Sequence, residues 1–137
     1  MGNPVCILSE NPISSAQLAK KLSAMGVDVV NHTKIDVCLA EHQKSPFGLI
    51  LLDRLQGNNN SKEWLKRIRD EQFDLPVLLL LSISEESHLN DYLRLGVSEC
   101  LYKPVVDAAL YLRLRHFLNG IIPSQKFSLL GGLKSAA

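Results

Sequence analysis

The sequence is poor in several features that would mark particular function classes. It has three cysteines, Cys6, Cys38 and Cys100, scattered and odd in number. Neither a Cys-x-x-Cys pair nor a Cys/His ligand spacing occurs, which argues against a disulfide framework or a zinc site and points to reduced thiols. The four histidines, His32, His42, His88 and His116, fall on different elements without a metal-ligand pattern. Long apolar stretches are missing too. The run at residues 77–81 is far shorter than the roughly 20 residues a bilayer-spanning helix needs. The first residues have neither a basic segment nor a long apolar one, so no signal peptide is expected and the setting reads as cytoplasmic. No Gly-rich loop follows the first apolar run, where Ser9-Glu10-Asn11-Pro12 stands, which argues against a dinucleotide or P-loop site. Net charge is only +1. A nucleic-acid footprint is therefore not expected, and the clusters Lys66-Arg67-Arg69 and Arg113-Arg115-His116 read as solvated helix faces.

What is present is an ordinary globular composition, 46% hydrophobic and 21% charged over 137 residues, enough for one domain with a real core. The organising stretch is residues 47–53, Phe-Gly-Leu-Ile-Leu-Leu-Asp. Four consecutive aliphatics running into a carboxylate read as a strand buried on both faces, with Asp53 at its carboxyl end. In open α/β sheets that rim is where ligands bind. Around it the pattern alternates. Strands are expected at 5–8, 27–30, 49–53, 77–81 and 99–102. Helices are expected from Pro12 to a stop at Gly26, over 35–42, from a Ser61 cap to about Gln72, from a Ser84 cap to Gly96, and over 106–118. In the fourth helix Leu89, Tyr92 and Leu93 form the inward stripe; in the last it is Leu110, Leu114, Phe117 and Leu118. Five strand–helix alternations predict a parallel sheet with right-handed crossovers and helices on both faces.

With these elements in order, the chain resembles the receiver domain of two-component response regulators from about Pro4 to Leu118. The residues that carry the resemblance are Glu10 with Asn11-Pro12, the Leu-Ile-Leu-Leu-Asp53 strand end, Pro76, Gly96 and Lys103-Pro104. It implies a flavodoxin-like doubly wound (βα)5 fold with strand order 2-1-3-4-5. It also implies that Asp53 is a phosphoacceptor served by the partner's phosphohistidine, so the partner is a histidine kinase or phosphotransfer protein. Lys103 would place a point charge on a phosphoryl oxygen. Mg²⁺ would be held by Glu10, Asp53 and the backbone carbonyl of Leu55.

The chain departs from the family pattern at three places. Ser9 replaces the first of two adjacent acids, so Mg²⁺ binding should be weakened. At the end of the fourth strand, where the family has a Thr or Ser, gapless counting places Leu81 and not Ser82; the usual aromatic position in strand five holds Cys100. The Thr–aromatic relay is therefore expected to be missing, with Ser82 a substitute only through a bulge. The loop after Asp53 has Gly57 and Ser61 where Pro and Gly are usual, and a run of Asn58, Asn59 and Asn60.

Val106, Tyr111 and Leu112 lie off the inward stripe of the last helix, and are expected to form a partner or homodimer surface on the face of helix four, strand five and helix five. Residues 1–119 read as the receiver and 120–137 as a linker or the start of a further helix. The tail at 127–137 is similar to the start of the dimerisation helix of some histidine kinases, which would make the chain the receiver portion of a hybrid sensor kinase. No nucleophile–base pair suggests an enzyme. The competing readings are a pseudo-receiver, with the same fold but acting only by binding or dimerisation, and a flavodoxin-like cofactor binder.

Overall fold

The computed structural model describes residues 3–72 and 74–118. The tail from 119 onward, with the expected linker and the kinase-like segment, lies outside the described residues. Five parallel strands form one sheet in the order β2-β1-β3-β4-β5. They are β1 (Val5–Leu8), β2 (Val29–His32), β3 (Leu49–Asp53), β4 (Val77–Ser82) and β5 (Glu99–Lys103). The connecting helices are α1 (Pro12–Ala24), α2 (Ile35–Lys44), α3 (Asn60–Glu71), α4 (Leu89–Arg94) and α5 (Asp107–Phe117), and a 3₁₀ segment, Ile83–His88, leads into α4. The expected fold class and strand order are therefore observed.

The continuous apolar runs behave as their burial predicts. Every residue of β1 and β3 is buried, because helices cover both faces of the sheet. Period-two alternation splits them into two layers. Val5, Ile7, Leu49, Leu51, Leu78 and Leu80 pack against Leu18 and Leu22 of α1 and Leu110 and Leu114 of α5. Cys6, Leu8, Ile50, Leu52, Leu79 and Leu81 pack against Cys38 and Leu39 of α2, Leu65 and Ile68 of α3 and Tyr92 of α4. Asp53 has the parity of the first layer, and the residue after it, Arg54, has that of the second.

Several expected boundaries move for identifiable reasons. The second strand starts at Val29, not residue 27, because the Val27 amide is still spent on the Leu22 carbonyl at the end of α1 (3.1 Å). Ser61 is not a cap but sits inside the first turn of α3, where Asn58 Oδ1 accepts the Asn60 amide (2.7 Å). Ser84 does not cap a helix either; the chain runs through the 3₁₀ segment first. α4 packs inward through Leu89 and Tyr92, while Leu93 is 48% exposed. Asn11 does cap α1, its side chain accepting from the Ile13 and Ser14 amides.

Between α4 and β5, Gly96 takes a left-handed φ of 100°. A Cβ there would lie 2.8 Å from Arg69 Nε, the same nitrogen that donates to the Gly96 carbonyl (2.8 Å). Gly96→Ala is expected to destabilise the domain by about 1–2 kcal/mol, from the left-handed backbone penalty alone. Urea denaturation should show this as a lower midpoint with an unchanged slope.

Candidate functional site at the carboxyl ends of the strands

Three strand ends meet at one carboxylate. Asp53 closes β3 and is 2% exposed. Ser9, immediately after β1 and fully buried, donates its hydroxyl to Asp53 Oδ2 (2.7 Å). Lys103 closes β5 and sets its ammonium against Asp53 Oδ1, while also donating to the Arg54 carbonyl (2.9 Å). The Lys103–Pro104 peptide is cis. β4 lies between β3 and β5, so the pair reaches over a strand that contributes no charge of its own. A carboxylate this buried needs partners on both oxygens, and Ser9 and Lys103 supply them.

Of the expected site residues, Asp53 and Lys103 meet in an ion pair, while Glu10 bonds the loop that follows Asp53. Glu10 is exposed, and its carboxylate accepts from Asn58 Nδ2 (3.2 Å) and from Asn60 Nδ2 (3.1 and 3.2 Å). The asparagine run after Asp53 thus engages both oxygens of the acid. The longer Glu side chain reaches that loop, and the uncharged Ser9 takes the inner place. The Leu55 carbonyl accepts the Asn58 amide in a turn (3.0 Å). Among the described residues no group of three or more His, Cys, Asp or Glu is arranged to hold a metal.

The switch candidates divide between the two faces. Leu81 is fully buried in the layer facing α4, and Cys100 packs partly buried against the same layer. Burial pushes the Cys100 thiol up to about 11, so it is a neutral packing group at ordinary pH. Ser82 pairs in register with Lys103 and shares the parity of Leu80, which puts it on the Asp53 face. Ser82 and Leu81 thus face opposite sides of the sheet, as the strand's alternation predicts.

The sequence reading missed the largest fully buried side chain, Arg54. It enters the second layer beside Tyr92. Its Nε and Nη2 reach the two Glu85 carboxylate oxygens (2.9 and 3.2 Å). Its Nη1 donates to the Asn58 carbonyl (2.8 Å) and the Tyr92 hydroxyl (2.9 Å). The Tyr92 hydroxyl also bonds Ser61, and Glu85 accepts the Gly57 amide (2.9 Å). Burial pulls the Arg54 guanidinium down, but hydrogen bonds to Glu85 and Tyr92 outweigh it and leave its pKa above the ordinary value. Those same bonds hold the Glu85 carboxyl below the usual range. The signal was present: an Arg one step past Asp53 has the parity of buried Ile50 and Leu52, and a Tyr in an inward stripe needs a partner for its hydroxyl.

The family model of the response regulator receiver domain matches residues 5–115. The chain belongs to the response regulator receiver family. Sensor protein EvgS of Escherichia coli O157:H7 is 23% identical to this receiver over 133 residues, covering 96% of the chain. The chain spans only 11% of that protein's length. Among solved structures, chemotaxis protein CheY4 of Vibrio cholerae is 20% identical, covering 86% of this receiver and 100% of its own chain, with a TM-score of 0.74. The receiver domain of sensor histidine kinase PA1611 from Pseudomonas aeruginosa PAO1, solved with a magnesium ion in its active site cleft, is 19% identical. The match covers 85% of this chain and 98% of that one, with a TM-score of 0.72. At these identities the structural likeness is one of fold.

Within this receiver, Glu85→Ala leaves the Arg54 guanidinium buried without its anion and should cost about 3–5 kcal/mol. Tyr92→Phe removes one hydroxyl and should cost about 1–3 kcal/mol. Because the folded state holds Glu85 below its ordinary value, its contribution is complete above the unfolded pKa and is lost as pH falls through the folded one. Thermal melts should show stability falling below the ordinary Glu range, with a shallower acid slope in Glu85→Gln.

Proposed function

We propose that this receiver accepts a phosphoryl group on Asp53 from the phosphohistidine of a histidine kinase or phosphotransfer protein. The observation that carries the reading is the Lys103 ammonium set against the buried Asp53 carboxylate at the sheet's carboxyl rim. An Asp53 oxygen attacks phosphorus, the bond from phosphorus to the imidazole nitrogen breaks, and the nitrogen keeps the electron pair. The product is an acyl phosphate on Asp53. Lys103 follows the negative charge from the carboxylate onto a phosphoryl oxygen, while Ser9 keeps the second carboxylate oxygen oriented.

The donors at the rim are all oxygens, which fits Mg²⁺, an ion content with one or two carboxylates and several waters. Asp53, Glu10 and the Leu55 carbonyl are the residues that would hold it; when bound it would offset charge on the transferring group. Glu10 is engaged by Asn58 and Asn60, so binding competes with those bonds. The output surface in this reading is the face of α4, β5 and α5, where Val106 and Leu112 are 62% and 56% exposed. Tyr111 contributes less than expected, because it packs partly buried on the first core layer under the Arg115 guanidinium. A second copy of the chain is one occupant of that face. The similarity to part of a sensor protein supports a place as the receiver of a hybrid sensor kinase. Among the described residues no helix is long and apolar enough to cross a membrane.

One observation favours a second reading, a pseudo-receiver that signals by binding alone: the Glu10 carboxylate is already engaged by Asn58 and Asn60, and Leu81 brings no hydroxyl. Intact mass after incubation with acetyl phosphate and Mg²⁺ separates the two. A phosphoryl gain that disappears in Asp53→Ala supports the first; no gain under any condition supports the second. Asn60→Ala, which removes two of the three bonds on Glu10 and leaves the one from Asn58, should tighten Mg²⁺ binding about three- to tenfold by the usual worth of such bonds, read by titration of the single tryptophan, Trp64.

A further inference from the structure

We infer that Arg54 is the positioning residue that couples the Asp53 site to the 83–94 segment. One residue joins the two regions through opposite ends of its own structure. Its backbone carbonyl receives the ammonium that pairs with Asp53 (2.9 Å). Its backbone amide is anchored on the Leu80 carbonyl of β4 (3.1 Å). Its side chain, 1% exposed, holds Glu85 of the 3₁₀ segment and Tyr92 of α4. Leu81 and the partly buried Cys100 line the sheet between Asp53 and α4, and neither offers a strong donor or acceptor. Polar links to the segment also run from the Gly57 amide to Glu85 and from Gln56 to Ser84, but these start from the exposed loop after Arg54.

The physical step is a redistribution of one cation. With Asp53 charged, Lys103 is shared between the carboxylate and the Arg54 carbonyl. When the charge on Asp53 is removed or moved outward, the ammonium leaves that shared position. The Arg54 peptide then loses a charge-assisted hydrogen bond. The guanidinium on the same residue is clamped in a fork to Glu85, and it cannot shift without dragging Glu85, the Gly57 amide that Glu85 binds, and the Tyr92 hydroxyl. A buried ion pair in a packed setting behaves as a discrete arrangement rather than a spring, which suits it to pass a change on. The role of this link in signalling rests on Asp53 being the reactive carboxylate, but the link itself does not, so it is tested without a phosphodonor.

The experiment is a double-mutant cycle read by hydrogen exchange on peptides covering residues 83–94. The perturbation is Asp53→Asn, which removes the charge and keeps the shape. In the otherwise unaltered chain it is expected to raise exchange of that segment about three- to tenfold, the range of coupling between residues in one network. In an Arg54→Met background the same perturbation is expected to change it by less than about twofold. Tyr92→Phe and Glu85→Gln keep the test available should Arg54→Met fail to fold; each is expected to reduce the response to Asp53→Asn. A response of equal size in every background, or no response to Asp53→Asn in the unaltered chain, overturns the inference. Absence of phosphorylation would overturn the proposed function and leave this result standing.

Discussion

The structure depends on a buried carboxylate that is held on both oxygens. Asp53 lies at the end of a strand and is 2% exposed, and removing one partner of such a buried pair costs about 3–5 kcal/mol. Lys103 supplies the opposite charge and Ser9 the second bond. Three strands must therefore end at the same level: β1 at Leu8, β3 at Asp53 and β5 at Lys103. The parallel register, with Leu8 beside Leu52 and Asp53 beside Leu80, is what brings them there.

A second buried pair, Arg54 with Glu85, sits one residue along and on the other face. The two pairs are built on consecutive residues, so the alternation of the strand sends one charge toward α1 and α5 and the next toward α4. The proposed phosphoryl transfer would use the first. The second stitches the loop after Asp53, the 3₁₀ segment and α4 into one unit. A buried ion pair contributes less to net stability than an apolar replacement of the same shape would. Its presence here is better explained by what it fixes in place than by energy alone.

Much of the fold was legible because its signals were local and redundant. Val5–Leu8 and the strand ending at Asp53 are continuous apolar runs bounded by polar residues, and both strands appear as read. Pro12 and Gly26 bracket α1 for steric reasons that tertiary packing does not override. The Ser61 and Ser84 caps failed because residue type alone does not say whether a hydroxyl will serve its own helix. Ser61 serves Tyr92, and Ser84 accepts from Gln56 (3.4 Å). At the site, Asp53 was legible from its strand end, while Lys103 came from the resemblance to the receiver family. The bonds of Glu10 to Asn58 and Asn60 went unread because an exposed side chain is set by partners that the linear order does not reveal. Arg54 went unread because a charged residue beside a strand end invites a solvent reading; only the strand's parity argues otherwise.

The ion pair between Lys103 and Asp53 is open to direct measurement by side-chain ¹⁵N NMR on lysine-labelled protein. An ammonium signal protected from solvent exchange is expected, one that disappears in Lys103→Met and loses its protection in Asp53→Ala. A spectrum in which every lysine ammonium exchanges freely, or in which the protected signal survives Asp53→Ala unchanged, would contradict it.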